Sequence, residues 1–497
     1  MAKHQPKKET KQQPQQNTSA KEGNAFLRFL WAKDNRIELL TVLGLQLGLF
    51  IFLKIRFPYP LTESDSGNYI LSATTGKING YRPYGYSGFL RFFTTFSTDV
   101  TFVSTWQFFI AAVAVFLLLF SVKYFFNISR IPFLILAVLL LFNPSILYMN
   151  VYLMSDGLFV ALTALWLTTG LWLLNGGPYW MIAVHILLLY FCIDTRYIGM
   201  FYAGFSALFI AYRFWPNKAM AGIGFVLPFL LLFWYRGEQA GLMLDEYGVD
   251  TFSSFGGWQK ANNAVAVLPF VKVDENQLPS PQIKSLHQVV RSFPDSLFTF
   301  PNVEATNFMW VKTHPGKAFL FQYIQQTGVP YMKAWAYCGT LMEQYGEFLQ
   351  SHYRTEYVKH YILENAKNIF KVWEIMEGTT FNADQNMKNL FTCAVDKYEY
   401  KKPFFKNMTS IRTIGDGVVW LVLLVSLIVL LVMFKRIVWS NAQKLMLLSM
   451  ILFLLAFLAV SVYAAPINNF RYLMPIYYAQ ILIPFLVFVG VFKKKVD

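Results

Sequence analysis

Long unbroken apolar runs dominate the chain, in place of the alternation of a half-buried strand or the one-sided stripe of a surface helix. Runs close to the length a helix needs to cross a bilayer begin at 37 to 56 and 102 to 122. They continue near 131 to 149, 156 to 175, 178 to 194, 196 to 215 and 218 to 236, and return near 413 to 434, 443 to 464 and 471 to 492. Short hinges such as Asn175-Gly176-Gly177-Pro178 separate them. The pattern predicts an all-α polytopic membrane protein of about ten transmembrane helices. No internal repeat is visible.

The stretches between the runs complete the layout. Residues 1 to 36, rich in Lys and Gln and without an apolar core segment, read as a disordered cytoplasmic tail and not as a signal peptide. Residues 37 to 236 hold the first seven spans, with amphipathic helices expected in a first external loop, 57 to 101. Residues 237 to 412 form an insertion expected to be a mainly helical extracytoplasmic domain, with helix-like stretches at 316 to 327, 331 to 350 and 354 to 376. Residues 413 to 497 supply the last three spans and a basic cytoplasmic tail.

Composition agrees with lipid as the main solvent: 55% of residues are hydrophobic and 14% charged. The net charge of +15 raises the question of a nucleic-acid partner. Its location answers it, because residues 237 to 411, the one segment long enough for a soluble domain, hold sixteen basic against seventeen acidic side chains. No nucleic-acid partner is expected. The surplus instead orients the chain, since Lys and Arg near helix ends are retained in the cytoplasm. Lys123 and Arg130, Arg213 and Lys218, Lys435, Arg436 and Lys444, and Lys493 to Lys495 all fall on the side of the basic N-terminus when ten spans are counted.

The three cysteines show no metal-ligand spacing. Cys338 and Cys393 are either a disulfide of an exported segment or two free buried thiols. His185 falls inside the fifth run, where a lone histidine either links helices or serves catalysis. His287, His314, His352 and His360 have no short metal spacing.

Ionisable residues near the membrane gather on one side. Glu63 and Asp65 follow the first run, Asp156 starts the fourth, Asp194 and Arg196 join the fifth and sixth, and Arg471 opens the tenth, with Arg82 and Arg91 further along the first loop. A charge at bilayer depth costs several kcal/mol, so each survivor calls for a role. Arg196 and Arg471 also depart from cytoplasmic retention of basic residues. Carboxylates facing arginines suit deprotonation of a hydroxyl as an anionic group departs, with the guanidiniums holding phosphate. Simpler roles compete: Asp156 as a helix cap beside Ser155, Glu63 as a solvated loop charge, Asp194 as the partner that holds Arg196. Tyr81, Tyr84 and Tyr86 suit either a sugar site or an interfacial belt. Trp258, Gln259, Asn262 and Asn263, in the run 255 to 264, suit either sugar hydrogen bonding or a tight turn.

The first loop, TESDSGNYILSATTGKINGYRPYGYSGFLRFF, resembles that of the C-type integral membrane glycosyltransferases, which include protein O-mannosyltransferases and the aminoarabinose transferase of lipid A. Asp65, Tyr69 and Ala73, then Gly80, Pro83 and Tyr86, follow that family's order of an acidic residue, a Tyr, an Ala-containing amphipathic helix, and Gly, Pro and aromatic positions. NPSILYMNVYLMSDGLF at 143 to 159 is similar to its Pro and Ser-acid pair heading the fourth span, with Asp156 in the acidic place. DTRYIGMFY at 194 to 202 and NNFRYLMPIYY at 468 to 478 look like its arginines heading later spans.

The resemblance implies a transferase that moves a sugar, with inversion, from a polyprenyl-phosphate donor to an acceptor glycan, lipid or protein at the extracytoplasmic face, in a bacterial inner membrane. Asp65 would be the general base. Arg196 and Arg471, with Arg82, would bind the donor phosphate, and Asp156 would orient the acceptor or a divalent metal ion. Tyr69, Asp194 and Tyr472 would complete the substrate site. Two rivals remain open: a transporter or flippase, which needs charged or helix-breaking residues at the bilayer midplane, and a non-catalytic assembly subunit.

Overall fold

The computed structural model describes residues 18–371, 380–400, 409–433 and 439–492. Lys435, Arg436, Lys493 to Lys495, the first seventeen residues and the end of the 354 to 376 stretch lie outside them. The protein is helical almost throughout, apart from a two-stranded antiparallel pair, Thr380–Asn382 with Lys397–Glu399, in register Thr380 to Glu399.

Among the described residues six helices are long and apolar enough to cross a membrane: Arg36–Arg56, Val100–Phe126, Ser155–Leu174, Lys218–Tyr247, Asn441–Ala464 and Met474–Phe492. A seventh crossing exists if the bent pair Arg130–Leu141 and Pro144–Asn150 is one span. The bend of 48° has a local cause. Pro144 cannot continue the hydrogen-bond ladder, and the Asn143 side chain accepts from Ser145 N (3.0 Å) and Ile146 N (3.1 Å), starting a new helix. Trp180–Thr195 nearly fills the run at 178 to 194, whereas Tyr202–Arg213 is shorter than the run at 196 to 215 suggested, because a 3-10 turn, Tyr197–Phe201, takes up its start.

Burial sorts the helices by position. Ser155–Leu174 is apolar on every face and almost wholly enclosed, so it forms the centre of the bundle. Arg36–Arg56 is peripheral: Leu39, Val42, Gln46, Leu49 and Leu53 point inward at helical spacing, while Leu40, Leu43, Leu47, Ile51 and Ile55 stay exposed, as a helix facing lipid requires. Residues 18–31, within the segment expected to be disordered, form a helix whose Phe26 and Phe29 pack edge-on against Trp172 (5.1 Å) and Tyr124 (5.0 Å).

The insertion has its own core. Lys218–Tyr247 runs without interruption past residue 237, so the boundary drawn there falls inside a helix. Beyond it, Ser254–Ala264 lies against Tyr331–His352, around Trp258, Ile283, Leu286, Phe298, Trp335 and Met342. Glycines permit this crossing: a Cβ on Gly257 would stand 2.0 Å from the Gly339 carbonyl oxygen, and one on Gly346 2.8 Å from Ala261 N. Residues 255 to 264 are therefore helix and not a turn, with the polar side chains turned to internal partners. Gln259 donates to Asn263 Oδ1 (2.9 Å), Asn262 donates to the Val303 carbonyl (3.0 Å), and Trp258 is fully buried.

Three amides tie the insertion to the bundle. Asn365 donates to the carbonyls of Val462 and Ala465 (both 2.8 Å) and accepts from Ile467 N (2.7 Å). Asn263 donates to the Ala464 carbonyl (3.1 Å), and Asn468 to that of Glu304 (3.0 Å). The segment between the last two long helices is thus held from the insertion side.

Candidate active site

A helix of the first loop and the turn that follows it carry the first contributors. Ser64–Thr75 begins with a capping box between Glu63 and Ser66, so the exposed Glu63 has a structural task, and Asp65 falls in the first turn. Gly76, at φ +71°, ends the helix and turns the chain back. Asn79 then holds the return, accepting from the backbone of Tyr81 and Arg82 (both 3.0 Å), which sets Arg82 beside Asp65. Arg91, by contrast, stays exposed and reaches only the Ala73 carbonyl (3.4 Å).

Five charged side chains from four distant stretches meet in one line. Arg82 Nη2 donates to Asp65 Oδ1 (2.9 Å), and Arg471 Nη2 to Asp65 Oδ2 (3.0 Å). Arg471 also reaches Asp156 Oδ2 through Nη2 (2.8 Å) and Nε (3.2 Å), while Arg196 Nη1 donates to Asp156 Oδ1. The order is Arg82, Asp65, Arg471, Asp156, Arg196, with Arg471 as the link between the carboxylates. Asp156 is 1% exposed and Asp65 16%, whereas the Arg82 and Arg471 side chains keep 24% and 21% of their surface. The line is sealed at Asp156 and partly open at Asp65 and the arginines.

Burial alone would raise the Asp65 carboxyl, but Arg82 and Arg471 outweigh it and hold the group well below the usual carboxylate range. Asp65 is ionised throughout the neutral range. Three guanidiniums against two carboxylates leave one positive charge for an incoming anion. Their planar forks match phosphate oxygens.

Asp156 does not cap its helix. That helix has Met154 at its N-cap with no side-chain bond, and the Asp156 carboxylate turns to the arginines. Tyr69 is buried beneath the line, its hydroxyl 2.7 Å from Ser155 Oγ. Ser155 was legible only as a capping candidate. Tyr472 follows Arg471 in the same 3-10 turn, half-buried and within electrostatic reach of Arg82.

Asp194 is not brought into the line. Instead of pairing with Arg196, it accepts from the Tyr235 hydroxyl (3.0 Å), because Arg196 lies past the end of the helix in extended backbone and turns toward Asp156. The tyrosine cluster divides. Tyr86 is fully buried and donates to Gln107 Oε1 (2.8 Å), while Tyr81 packs edge-on to Trp335 (4.4 Å) of the insertion. Neither forms a belt. Phe255, also of the insertion, lies under the Arg82 guanidinium at 5.2 Å, a contact the sequence did not signal.

Each carboxylate oxygen of Asp65 and Asp156 accepts from a guanidinium, so a divalent ion at this line would have to displace an arginine. Among the described residues no group of three or more His, Cys, Asp or Glu is arranged to hold a metal. His185 bonds with Thr169 Oγ1 (2.7 Å) and Ser206 Oγ (3.0 Å), a link between helices, and His287 with the Tyr345 hydroxyl (2.8 Å). Cys338 and Cys393 are both free thiols, and burial pushes the Cys338 thiol up to about 12.

Comparison of the chain with protein-family models, curated proteins and solved structures finds no match.

Proposed function

We propose that the protein is a membrane glycosyltransferase that moves a sugar, with inversion, from a polyprenyl-phosphate donor to an acceptor hydroxyl or amine at the extracytoplasmic face, in a bacterial inner membrane. The observation that carries the reading is the bridging of Asp65 and Asp156 by Arg471, flanked by Arg82 and Arg196. Counting the bent pair as one span, and adding Trp180–Thr195, Tyr202–Arg213 and the apolar helix Gly417–Met433 to the six long helices, gives ten crossings. With ten, the charged line and the insertion share the face opposite the basic N-terminus.

The chemistry follows from the resting ion pairs. The donor phosphate competes with Asp65 for Arg82 and Arg471, and as these guanidiniums turn to the phosphate the carboxylate loses the charges that depress its basicity. It then takes the acceptor proton as the acceptor oxygen or nitrogen attacks the anomeric carbon. The bond from that carbon to the phosphate oxygen breaks, and polyprenyl phosphate leaves as an anion stabilised by the arginines. No acid is needed for that leaving group. Asp156, paired with Arg196, keeps Arg471 aimed.

Incubating purified protein with a panel of polyprenyl-phosphate sugars, and profiling surface glycans of a deletion strain by mass spectrometry, tests the reading. Donor turnover that disappears in Asp65→Asn, with one sugar missing from the strain's glycans, is the expected result. Equal turnover by Asp65→Asn, or lipid translocation in liposomes without any turnover, would overturn it.

A further inference from the structure

We infer that the acceptor is a carbohydrate, and that Trp310 of the insertion, with Phe255 beside it, is the aromatic platform on which one of its sugar rings stacks. The inference rests on the transferase reading above and narrows its acceptor to a sugar hydroxyl.

Position is the first argument. Arg82 ends the charged line on the side of Asp65, the proposed base, so an acceptor that gives its proton to Asp65 lies beside Arg82. From Arg82 a run of rings leads into the insertion. Phe255 lies under the guanidinium at 5.2 Å, and Trp310 follows at 6.2 Å from Phe255. Tyr81, the residue before Arg82, stands 5.7 Å from Trp310, so the first loop and the insertion meet at this ring.

Exposure is the second. Of the insertion's described tryptophans, Trp258 and Trp335 are fully buried, whereas Trp310 is 41% exposed. Those two hold it in place: Trp335 lies near-parallel to Trp310 at 6.5 Å, and Trp258 near-parallel to Trp335 at 5.5 Å. An exposed ring fixed in this way offers apolar contact at little ordering cost.

Charge selects the occupant. Arg82 engages Phe255 at one end of the run, and at the other the buried Lys317 ammonium is 5.5 Å from the Trp310 ring and donates to the Tyr331 hydroxyl. Two cations already on these rings repel a basic peptide or an amine. An acyl chain gains little, because the exposed Tyr331 and the two cations break up the apolar surface. A sugar matches both parts, with a C–H face for the indole and hydroxyls for the polar groups at its border.

The test measures transfer by the full-length protein in nanodiscs, with oligosaccharides released from the parent strain's envelope as acceptors and Ser- and Thr-containing peptides as alternatives. Trp310→Ala should raise the oligosaccharide KM by about tenfold, the loss of one stacking contact, with the donor KM moved far less. Trp310→Phe should keep most of the affinity. Without donor, the oligosaccharides should change the tryptophan emission of wild-type protein more than that of Trp310→Phe, a readout that needs no turnover. An unchanged oligosaccharide KM in a folded Trp310→Ala, a rise confined to the donor KM, or peptides accepting sugar in place of oligosaccharides would overturn the inference. So would quenching of Trp310 by brominated phosphatidylcholine, which would make it an interfacial anchor. Oligosaccharide binding at Trp310 without any donor turnover would sink the transferase reading and keep the platform, whereas donor turnover indifferent to Trp310→Ala would do the reverse.

Discussion

The two ends of the helical bundle each carry a carboxylate shared between cations, and they are built differently. At one end Glu38 accepts from Lys123 (3.0 Å) and Arg130 (3.3 Å), with Glu38 2% and Lys123 6% exposed. One buried pair joins the first two long helices there, and Arg130 trails into solvent. At the other end all three arginines keep accessible surface and one of them spans two carboxylates. The first arrangement is closed, so its value is in fixing two helices. The second can exchange partners at its Asp65 end, because there the carboxylate and both of its arginines keep accessible surface, whereas Asp156 is sealed.

The sharpest way to break this comparison is Asp65→Asn. Loss of a general base lowers turnover by about 10² to 10⁴-fold, while the thermal midpoint falls only modestly, since the asparagine oxygen still accepts from one of the two arginines and the other keeps accessible surface. Single-turnover assays with a defined donor measure the first, and a melting curve the second. At the closed end the expectation inverts. Lys123→Met leaves the buried Glu38 carboxylate with only the half-exposed Arg130 and costs up to about 3–5 kcal/mol of stability, seen as an earlier unfolding transition, whereas turnover per folded molecule is unchanged.

Acidity distinguishes the ends further. Asp65 is depressed by Arg82 and Arg471, so what its ionised form contributes is present above the unfolded-state value of about 3.9 and is lost as pH falls through the lower folded value. The free-enzyme profile of kcat/KM therefore lacks an acid limb near pH 4. Arg82→Gln removes one depressing charge and moves the limb up toward the ordinary carboxylate range. A profile unmoved by Arg82→Gln would separate Asp65 from the limb. A smaller effect is expected at Asn365→Ala, which frees two carbonyls and one N–H and costs about 1–3 kcal/mol, with weaker donor binding as the Arg471 segment loosens. Least of all, the exposed Lys77 and Glu246 pair (2.9 Å) should contribute under about 1 kcal/mol, so Lys77→Ala leaves the melting curve nearly unchanged.

Much of the charged line was readable from the chain because a carboxylate or guanidinium at the edge of an apolar run stands out on cost alone. Asp156, Arg196 and Arg471 were visible in that way, whereas Asp65 was singled out by the family resemblance of the first loop and Arg82 lay further along that loop; the helical character of the whole was also legible. Partner choice was not. Asp194 and Arg196 are two residues apart, yet one faces Tyr235 and the other Asp156, a difference set by where the helix ends. The contributions of the insertion were also hidden, since Phe255 and Asn365 carry no sign of the arginine or the chain break they meet until the fold brings them there. Gly257, Gly339 and Gly346 carried no sequence signal of the close helix crossing that they permit.

Because the single Asn365 amide satisfies three main-chain groups at the end of Asn441–Ala464 and in the linker after it, the 465 to 469 linker should exchange its amide protons together with the insertion, as one cooperative unit, and not with the lipid-embedded helices on either side. A ligand that stiffens the insertion would then slow exchange at the approach to Arg471 without touching it.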